Sequence, residues 1–210
     1  MCNTRQLYDY GEEDWPVKLH VGCGGIYLDG YINIDVQCVQ TDDVDEELLE
    51  AQKTTVDKYY KRDASWHNLP KRNAAICDLR SDIMDLDYLF EQESVDKIVG
   101  IQVLEHLGPT EFTSALGSFC DLLRPDGVLV ISVPDMLGTL KWIEEGDEEK
   151  VRFALRHLRG TWKDEWSYHK SWWTKETLGD ALDWAGFRSM QWLDNFHAYP
   201  ALVVKAKKIE

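Results

Sequence analysis

The sequence predicts an α/β fold, a doubly wound and mostly parallel sheet with helices on both faces and an antiparallel C-terminal hairpin at its edge. Short apolar runs that end in glycine, aspartate or proline alternate with segments whose apolar residues recur at helical spacing. The last two strand-like runs are separated only by residues 194–200. Because this connection is too short for a crossover helix, we expect those two strands to pair antiparallel.

The predicted strands follow the apolar runs in chain order. They are residues 17–21, 31–36, 74–77, 94–102 and 128–133, followed by 189–193 and 201–206 in the hairpin. The run VLVISV at 128–133 is the most strand-like and is closed by Pro134. Continuous apolar runs are typical of strands that are buried on both faces of a parallel sheet.

Two amphipathic helices are predicted from periodicity. Apolar residues recur at helical spacing from Thr110 to Leu123, and the turn RPDG ends that run. The second helix runs from Thr174, its N-cap, to Ala185, and Gly186 ends it.

Length and composition indicate one globular domain. A chain of 210 residues is long enough for one well-buried core and short for two. We expect a single domain over residues 1–210, with an acidic, partly helical insertion at about 40–72 and an aromatic-rich cap region at about 140–173. The acidic run from Asp42 to Glu50 predicts a solvated helix face.

Charge, hydropathy and cysteine usage exclude several classes of protein. A net charge of −15 disfavours binding to nucleic acid and to anionic membrane surfaces. No apolar run approaches the roughly 20 residues of a membrane-spanning helix, and residues 1–16 lack the pattern of a secretory signal, so we expect a cytoplasmic protein. The five cysteines contain no CxxC pair, which predicts neither a disulfide framework nor a zinc site.

The segment LHVGCGG, residues 19–25, predicts a ligand at the end of the first strand. Glycines let the main chain turn sharply and approach a bound molecule closely. Asp35 ends the second strand, where a carboxylate can accept both hydroxyls of a ribose, so the pair favours a nucleoside. A nicotinamide dinucleotide fits poorly, because Tyr27 stands where the third glycine of that fingerprint belongs and Asp35 comes well before its expected spacing of about 20 residues.

Five collinear segments resemble the class I S-adenosylmethionine-dependent methyltransferases, in the subgroup with a small-molecule-type, type 11-like methyltransferase domain. They are LHVGCGG, YINID, SDIMDLDYLFEQESVDKI, IQVLEHL and LLRPDGVLVISVPD, and YHKSWWTKETLGDALDWAGF is similar to a later segment of that subgroup. The resemblance covers most of residues 17–204. It implies a Rossmann-like methyltransferase fold with a seven-stranded sheet.

The resemblance implies S-adenosyl-L-methionine as the cofactor and assigns residues to it position by position. Gly22, Cys23 and Gly24 would lie against the methionine part, Asp35 would bind the ribose, and Gln102 would line the pocket.

At two positions this sequence fits the pattern of the family less closely. His20, which the resemblance also assigns to the cofactor, stands where most relatives carry an acid, although a histidine also occurs there in this subgroup. The acid that contacts the adenine amino group is either Asp82, with Ile83 beside it, or Asp78, directly at a strand end. The spacing from Asp82 to Leu86 favours Asp82.

The implied enzyme transfers a methyl group to a small-molecule or saccharide-like acceptor, and it needs a base only if the acceptor atom carries a proton. His106 and His169 are the candidate bases. A structural hydrogen bond is the alternative for His106. Core packing is the alternative to acceptor binding for the tryptophans near His169, which are Trp162, Trp166, Trp172 and Trp173.

Two further alternatives concern function. Asp135 either holds an acceptor group or caps a helix that begins near Met136. The whole chain is either an enzyme or a non-catalytic cofactor-binding or scaffold protein that retains the methyltransferase fold.

Overall fold

The computed structural model describes residues 16–55, 75–197 and 199–208. Its strands are β1 (Lys18–Val21), β2 (Tyr27–Leu28), β3 (Ile32–Asp35), β4 (Val39–Gln40), β5 (Lys53–Thr54), β6 (Ile76–Cys77), β7 (Leu79–Arg80), β8 (Val95–Ile101), β9 (Leu123–Pro134), β10 (Phe187–Trp192) and β11 (Ala201–Lys208). Its α-helices are α1 (Glu46–Gln52), α2 (Pro109–Leu122), α3 (Met136–Glu145), α4 (Glu148–Arg159) and α5 (Lys175–Trp184). Short 3-10 helices lie at Thr41–Asp43, Ile83–Tyr88 and Leu104–His106.

Seven strands form the central sheet in the order β10-β11-β9-β8-β1-β3-β7. Strands β7, β3, β1, β8 and β9 pair parallel, and β11 pairs antiparallel with both β9 and β10. The predicted mostly parallel sheet with a C-terminal antiparallel hairpin is therefore confirmed. The reversed strand itself lies one position inside the edge, because β11 inserts between β9 and β10 and leaves β10 outermost.

The prediction of a main-sheet strand at residues 74–77 is wrong. Residues Ile76–Cys77 form β6, which pairs with β4 in a separate two-stranded sheet. The edge strand of the main sheet is β7, two residues further along the chain. Asp78 separates the two strands, and its backbone N–H donates to the Asn33 carbonyl at 2.8 Å, where the chain steps from one sheet to the other.

The core lies between the sheet and the helices α2 and α5. Helix α2 buries Phe112, Leu116 and Phe119 on the stripe that its periodicity predicts, and Leu178 and Leu182 of α5 join the same cluster. Each such side chain contributes roughly 1.5–3 kcal/mol of hydrophobic stabilisation.

Two helix caps are formed by residues that the sequence analysis proposed for them. The Thr174 side chain accepts a hydrogen bond from the Thr177 amide, as predicted for the N-cap of α5. The Asp135 side chain accepts from the Leu137 amide and caps α3, which confirms the capping alternative for Asp135.

Within the described parts of the chain, no helix combines the length and the apolar character that crossing a bilayer requires.

The predicted acidic insertion is described only as far as residue 55, and its remaining residues lie outside the described part. Helix α1 follows the Asp45 N-cap and buries none of its residues, as expected for a solvated helix face. Strand β5, which follows helix α1, pairs parallel with β2. This pairing connects the insertion to the turn after the glycine loop.

Cys38 and Cys77 form a disulfide, which corrects the expectation that the cysteines carry none. The two residues are 39 apart in sequence, yet their Cα atoms lie 5.8 Å apart. The parallel pairing of β4 with β6 places Gln40 opposite Cys77 and brings the two chain segments together. Sequence spacing alone cannot reveal such a pair, because the strand pairing that aligns it is non-local.

Candidate active site

The carboxyl ends of β1, β3 and β8 meet at one edge of the sheet and carry the glycine loop, Asp35 and Gln102. In an open α/β sheet this edge is where ligands bind. Gly22 and Gly24 adopt positive φ angles of 61° and 53°. Glycine is needed at Gly22 for a second reason, since a Cβ atom there would lie 2.1 Å from Cγ2 of Val103.

Asp35 is hydrogen-bonded to the loop that it faces. One carboxylate oxygen, Oδ2, accepts a hydrogen bond from the Gly24 amide at 2.8 Å, and Oδ1 accepts one from the Gln37 amide at 2.8 Å. The Cys23 amide donates to the Ile34 carbonyl at 3.0 Å, which fastens the loop to β3. Each carboxylate oxygen of Asp35 retains a lone pair for a further donor.

A cavity of about 560 Å³ opens over this loop, and we call it the glycine-loop cavity. Its lining includes six of the residues predicted to bind the cofactor, which are Gly22, Gly24, Asp35, Asp82, Ile83 and Gln102. Residues from four separate segments of the sequence thus converge on one space.

Two predicted cofactor residues lie elsewhere. His20 is buried in β1, and its Nδ1 lies 2.9 Å from Oδ1 of Asn33. The Cys23 side chain is buried beside the Cys38–Cys77 disulfide, away from the glycine-loop cavity. Burial, with Asp35 nearby, raises the pKa of the Cys23 thiol far above its ordinary value, so the side chain is neutral.

Asp78 and Asp82 occupy different environments. The Asp78 carboxylate accepts hydrogen bonds from the Tyr27 hydroxyl and from the backbone amide and side-chain amide of Asn33, and it does not line the glycine-loop cavity. Asp82 lines that cavity, and its Oδ1 accepts from the Met84 amide at 3.0 Å. Asp82 therefore lies in the glycine-loop cavity and Asp78 outside its lining, and the assignment of the adenine contact to Asp82 stays a prediction.

Gln102 links the sheet edge to the C-terminal hairpin. Its φ of 54° places a non-glycine residue in the left-handed region, as is often found at functional sites. Its Nε2 donates to the Ser132 hydroxyl at 3.2 Å, and that oxygen lies 3.0 Å from Nε2 of His197. Burial lowers the pKa of His197 to about 4, so its ring is neutral at pH 7.

A second cavity, of about 290 Å³, adjoins the first, and we call it the histidine cavity. The two cavities share Gln37, Gln102, His106 and Trp166 in their linings. The other residues that line the histidine cavity come mainly from α4 and from the segment that follows α4. A molecule in the histidine cavity would therefore lie beside a ligand of the glycine-loop cavity.

The two candidate bases, His106 and His169, meet in the wall of the histidine cavity, with ring centroids 4.9 Å apart. Nδ1 of His106 lies 2.9 Å from the Tyr168 carbonyl, and Nδ1 of His169 lies 2.5 Å from the His157 carbonyl. The predicted structural hydrogen bond of His106 is thus present, and Nε2 remains available on each ring. Catalysis by either histidine stays a prediction.

Burial governs the charge of these groups. It lowers the pKa of His106, and together with the neighbouring His106 it lowers the pKa of His169 to about 4. The Glu105 side chain is 1% exposed, and burial raises the pKa of its carboxyl to about 8. Low-dielectric surroundings disfavour the charged form of every member of this cluster.

The four tryptophans near His169 have different surroundings. Trp173 is in the core, where its ring packs on Phe112 at a centroid distance of 4.0 Å. Trp166 lines both cavities. Trp162 and Trp172 are more than half exposed, at 61% and 52%, so core packing does not describe them.

Sequence reasoning did not predict α4 or the residues that it contributes. Phe153, Arg156 and His157 of α4 and Tyr199 before β11 all line the histidine cavity. The N-cap Asp147, two acids in the first turn and Gly160 after the last turn are local signals of this helix. These signals predict the helix, but they do not predict on which side of the fold Arg156 and His157 lie.

Several solved structures share the fold. A possible exported protein from Bordetella parapertussis is 20% identical, with a TM-score of 0.55, over 99% of this chain and 66% of that one. A SAM-dependent methyltransferase from Methanosarcina mazei is 15% identical, with a TM-score of 0.53, over 96% and 95% of the two chains. Human N-acetylserotonin methyltransferase in complex with SAM is 14% identical, with a TM-score of 0.50, over 100% and 52%. The chain spans less than two thirds of the Bordetella and human proteins.

No curated protein matches the sequence significantly. The family model described as a methyltransferase domain matches residues 21–191, which include the glycine loop, Asp35, Gln102 and both candidate bases. The chain therefore belongs to the methyltransferase domain family.

Proposed function

We propose that the chain transfers a methyl group from S-adenosylmethionine to a small-molecule or saccharide-like acceptor. The observation that carries the proposal is Asp35, a carboxylate fastened by the Gly24 amide at the mouth of a cavity over a glycine loop. Membership of the methyltransferase domain family and the fold shared with methyltransferases support it.

The residues present fit the cofactor. After accepting from the amides of Gly24 and Gln37, each oxygen of Asp35 can still accept one hydroxyl of a ribose. Asp82 and Ile83 would hold the adenine, and the loop at Gly22 would lie along the methionine part. A cavity of about 560 Å³ lies within the usual range of ligand pockets, roughly 300–1,000 Å³.

S-adenosylmethionine, when bound, supplies a methyl group that is already activated on a sulfonium. The contribution of the chain is to hold the acceptor in line and to exclude water. The histidine cavity adjoins the glycine-loop cavity and offers Arg156, Asp164 and Trp166 to a polar acceptor with a flat or sugar-like face. Neutral His106 and His169 would accept the proton of a hydroxyl or amine at that boundary.

We propose the cytoplasm as the site of action, and the Cys38–Cys77 disulfide is the feature that tests this location. Disulfides persist in oxidising compartments and are rare in the cytosol. The disulfide in the structure thus favours an oxidising compartment, and the cytoplasmic proposal requires that the bond be found reduced in cells.

Calorimetry with S-adenosylmethionine and S-adenosylhomocysteine tests the function directly. We expect the wild-type chain to bind both, and Asp35→Ala to weaken binding on the order of a hundredfold, as expected for losing hydrogen bonds to a charged group. Asp29→Ala is the matched control, because Asp29 is exposed on the turn after β2 and lies outside the cavity lining. Absence of binding by the wild type, or equal affinity of the Asp35→Ala variant, would contradict the proposal.

A further inference from the structure

We propose that Glu105, His106 and His169 form a binding site for one divalent transition-metal ion at the boundary of the two cavities. One ring nitrogen of each histidine and one carboxylate oxygen of Glu105 all lie within 4.8 Å of one another. Oε1 of Glu105 is 4.0 Å from Nε2 of His169. Metal–ligand bonds of about 2.0–2.2 Å place neighbouring ligand atoms some 3–3.5 Å apart, so side-chain movements of about an ångström close the site.

Both histidines are oriented as metal ligands usually are. Because a carbonyl oxygen only accepts, the contacts of the Nδ1 atoms with the carbonyls of Tyr168 and His157 require a proton on each Nδ1. The lone pair of each ring is then on Nε2. Metal-bound histidines characteristically donate the other N–H to a backbone carbonyl, which fixes both the tautomer and the ring orientation.

The backbone holds the two ligand-bearing segments together. The Glu105 carbonyl accepts hydrogen bonds from the amides of Lys170 at 2.8 Å and Ser171 at 3.2 Å. Glu105 and His106 occupy the 3-10 helix after β8, whereas His169 follows α4, so this clamp joins segments far apart in sequence. The ligands are therefore positioned by the fold before an ion arrives.

The buried carboxyl group of Glu105 is a second observation that points to a bound cation. Its side chain is 1% exposed, and its Oε2 has no hydrogen-bond partner among the described residues. Leaving a buried carboxylate oxygen unpaired is costly, and buried acids are normally paired, hydrogen-bonded or bound to a metal. An ion held between the Glu105 carboxylate and the two imidazole rings would give this buried group a partner.

The ligand set selects the class of ion. Two imidazoles and one carboxylate suit Zn²⁺, Fe²⁺, Co²⁺ or Mn²⁺, whereas Mg²⁺ and Ca²⁺ prefer sites built from oxygen alone. Three protein ligands leave at least one coordination position open. His106 lines both cavities and the other two ligands line the histidine cavity, so the open position is available to a molecule in that cavity.

The site also narrows the acceptor, and this step rests on the proposed function. The ion would orient an acceptor oxygen in the open position and lower the pKa of that hydroxyl, so that its proton passes to solvent water more readily before the oxygen takes the methyl group. With an ion bound, the ring nitrogens that hold it cannot accept a proton, so the ion would replace the direct base role proposed above for the two histidines. Acceptors with a hydroxyl group are favoured over amines with no oxygen nearby.

Titration of the full chain with Zn²⁺ by calorimetry, and with Co²⁺ by visible absorption, tests the site. Millimolar Mg²⁺ is added to every sample, because a chain with a net charge of −15 also binds cations non-specifically on its acidic surface. The Mg²⁺ occupies that surface. We expect one ion per chain, with an absorption band from bound Co²⁺ that Zn²⁺ displaces. His169→Gln and Glu105→Gln should each weaken Zn²⁺ binding on the order of a hundredfold.

His197→Gln is the matched control, because it removes a half-buried neutral histidine outside the cluster and should leave the ion affinity unchanged. If the Glu105→Gln variant does not fold, His169→Gln decides the outcome. Binding that survives His169→Gln, or no saturable binding by the wild type, overturns the metal site. Parallel titration with S-adenosylhomocysteine separates the two proposals, since its failure alone would contradict the methyltransferase function and leave the ion site standing.

Discussion

The backbone of Gly22 passes directly against the side chain of Val103, where a Cβ atom on the glycine would stand 2.1 Å from Cγ2 and 2.6 Å from Cβ. The glycine loop after β1 and the segment after β8 are therefore in direct contact. The glycines predict a close approach of the backbone to another group, and at Gly22 that group is the Val103 side chain of the same chain.

Gly22→Ala is expected to destabilise the fold by about 2–4 kcal/mol, because it adds a steric clash to the strain of a positive φ. It should also abolish detectable binding of S-adenosylhomocysteine. Gly30→Ala is the control, because Gly30 has a φ of 74° and open space around it, and its cost should stay near 1 kcal/mol. Urea unfolding of both variants measures the difference, and equal costs would show that the contact with Val103 is unimportant.

Asp82→Asn is expected to lower the affinity for S-adenosylhomocysteine by about tenfold and to relax the preference for adenine over hypoxanthine. The reason is that Asp82 lines the glycine-loop cavity, where its carboxylate can accept from an exocyclic amino group. Calorimetry with S-adenosylhomocysteine and S-inosylhomocysteine measures that preference.

Asp78→Asn provides the contrast to Asp82→Asn. It should reduce the free energy of unfolding by about 1–3 kcal/mol, because Asp78 accepts hydrogen bonds from Tyr27 and Asn33. The base preference of the folded protein should remain. If Asp78→Asn and not Asp82→Asn changes that preference, the assignment of the adenine-contacting acid is reversed.

Removal of the disulfide by Cys38→Ser is expected to lower the free energy of unfolding by about 4 kcal/mol, the chain-entropy value for a loop closed across 39 residues. Cys120→Ala, which removes a buried free thiol, should cost much less. Alkylation of thiols in lysed cells followed by mass spectrometry reports the state of the bond in vivo. A fully oxidised pair there would contradict the cytoplasmic location.

His197 makes the stability of the protein depend on pH. Its pKa is about 4 in the fold against 6.5 ordinarily, so the unfolded chain binds the proton more tightly and stability is lost as pH falls from 6.5 towards 4. Between pH 8 and pH 5 this group alone should cost the wild type roughly 2 kcal/mol. Urea unfolding of wild type and His197→Gln at both pH values measures the difference, and parallel losses in the two proteins would contradict this account.

Local patterns in the sequence were enough to locate many of the elements. Apolar runs located β1, β3, β8 and β9, helical periodicity located α2 and α5, and capping chemistry identified Thr174 and Asp135. The glycine loop and Asp35 were also visible, because a strand that ends in glycines and an acid at the end of the next strand converge in any parallel sheet. These features are encoded within a few residues of one another.

The tertiary structure alone decided which distant segments meet. Neither the insertion of β11 between β9 and β10, nor the Cys38–Cys77 bond, nor the approach of His169 to Glu105 and His106 follows from residue spacing. Each depends on strand order and on the path of long connections, which are set by packing over the whole domain. Local patterns specify the elements, whereas the contacts that build the histidine cavity arise only when those elements are packed together.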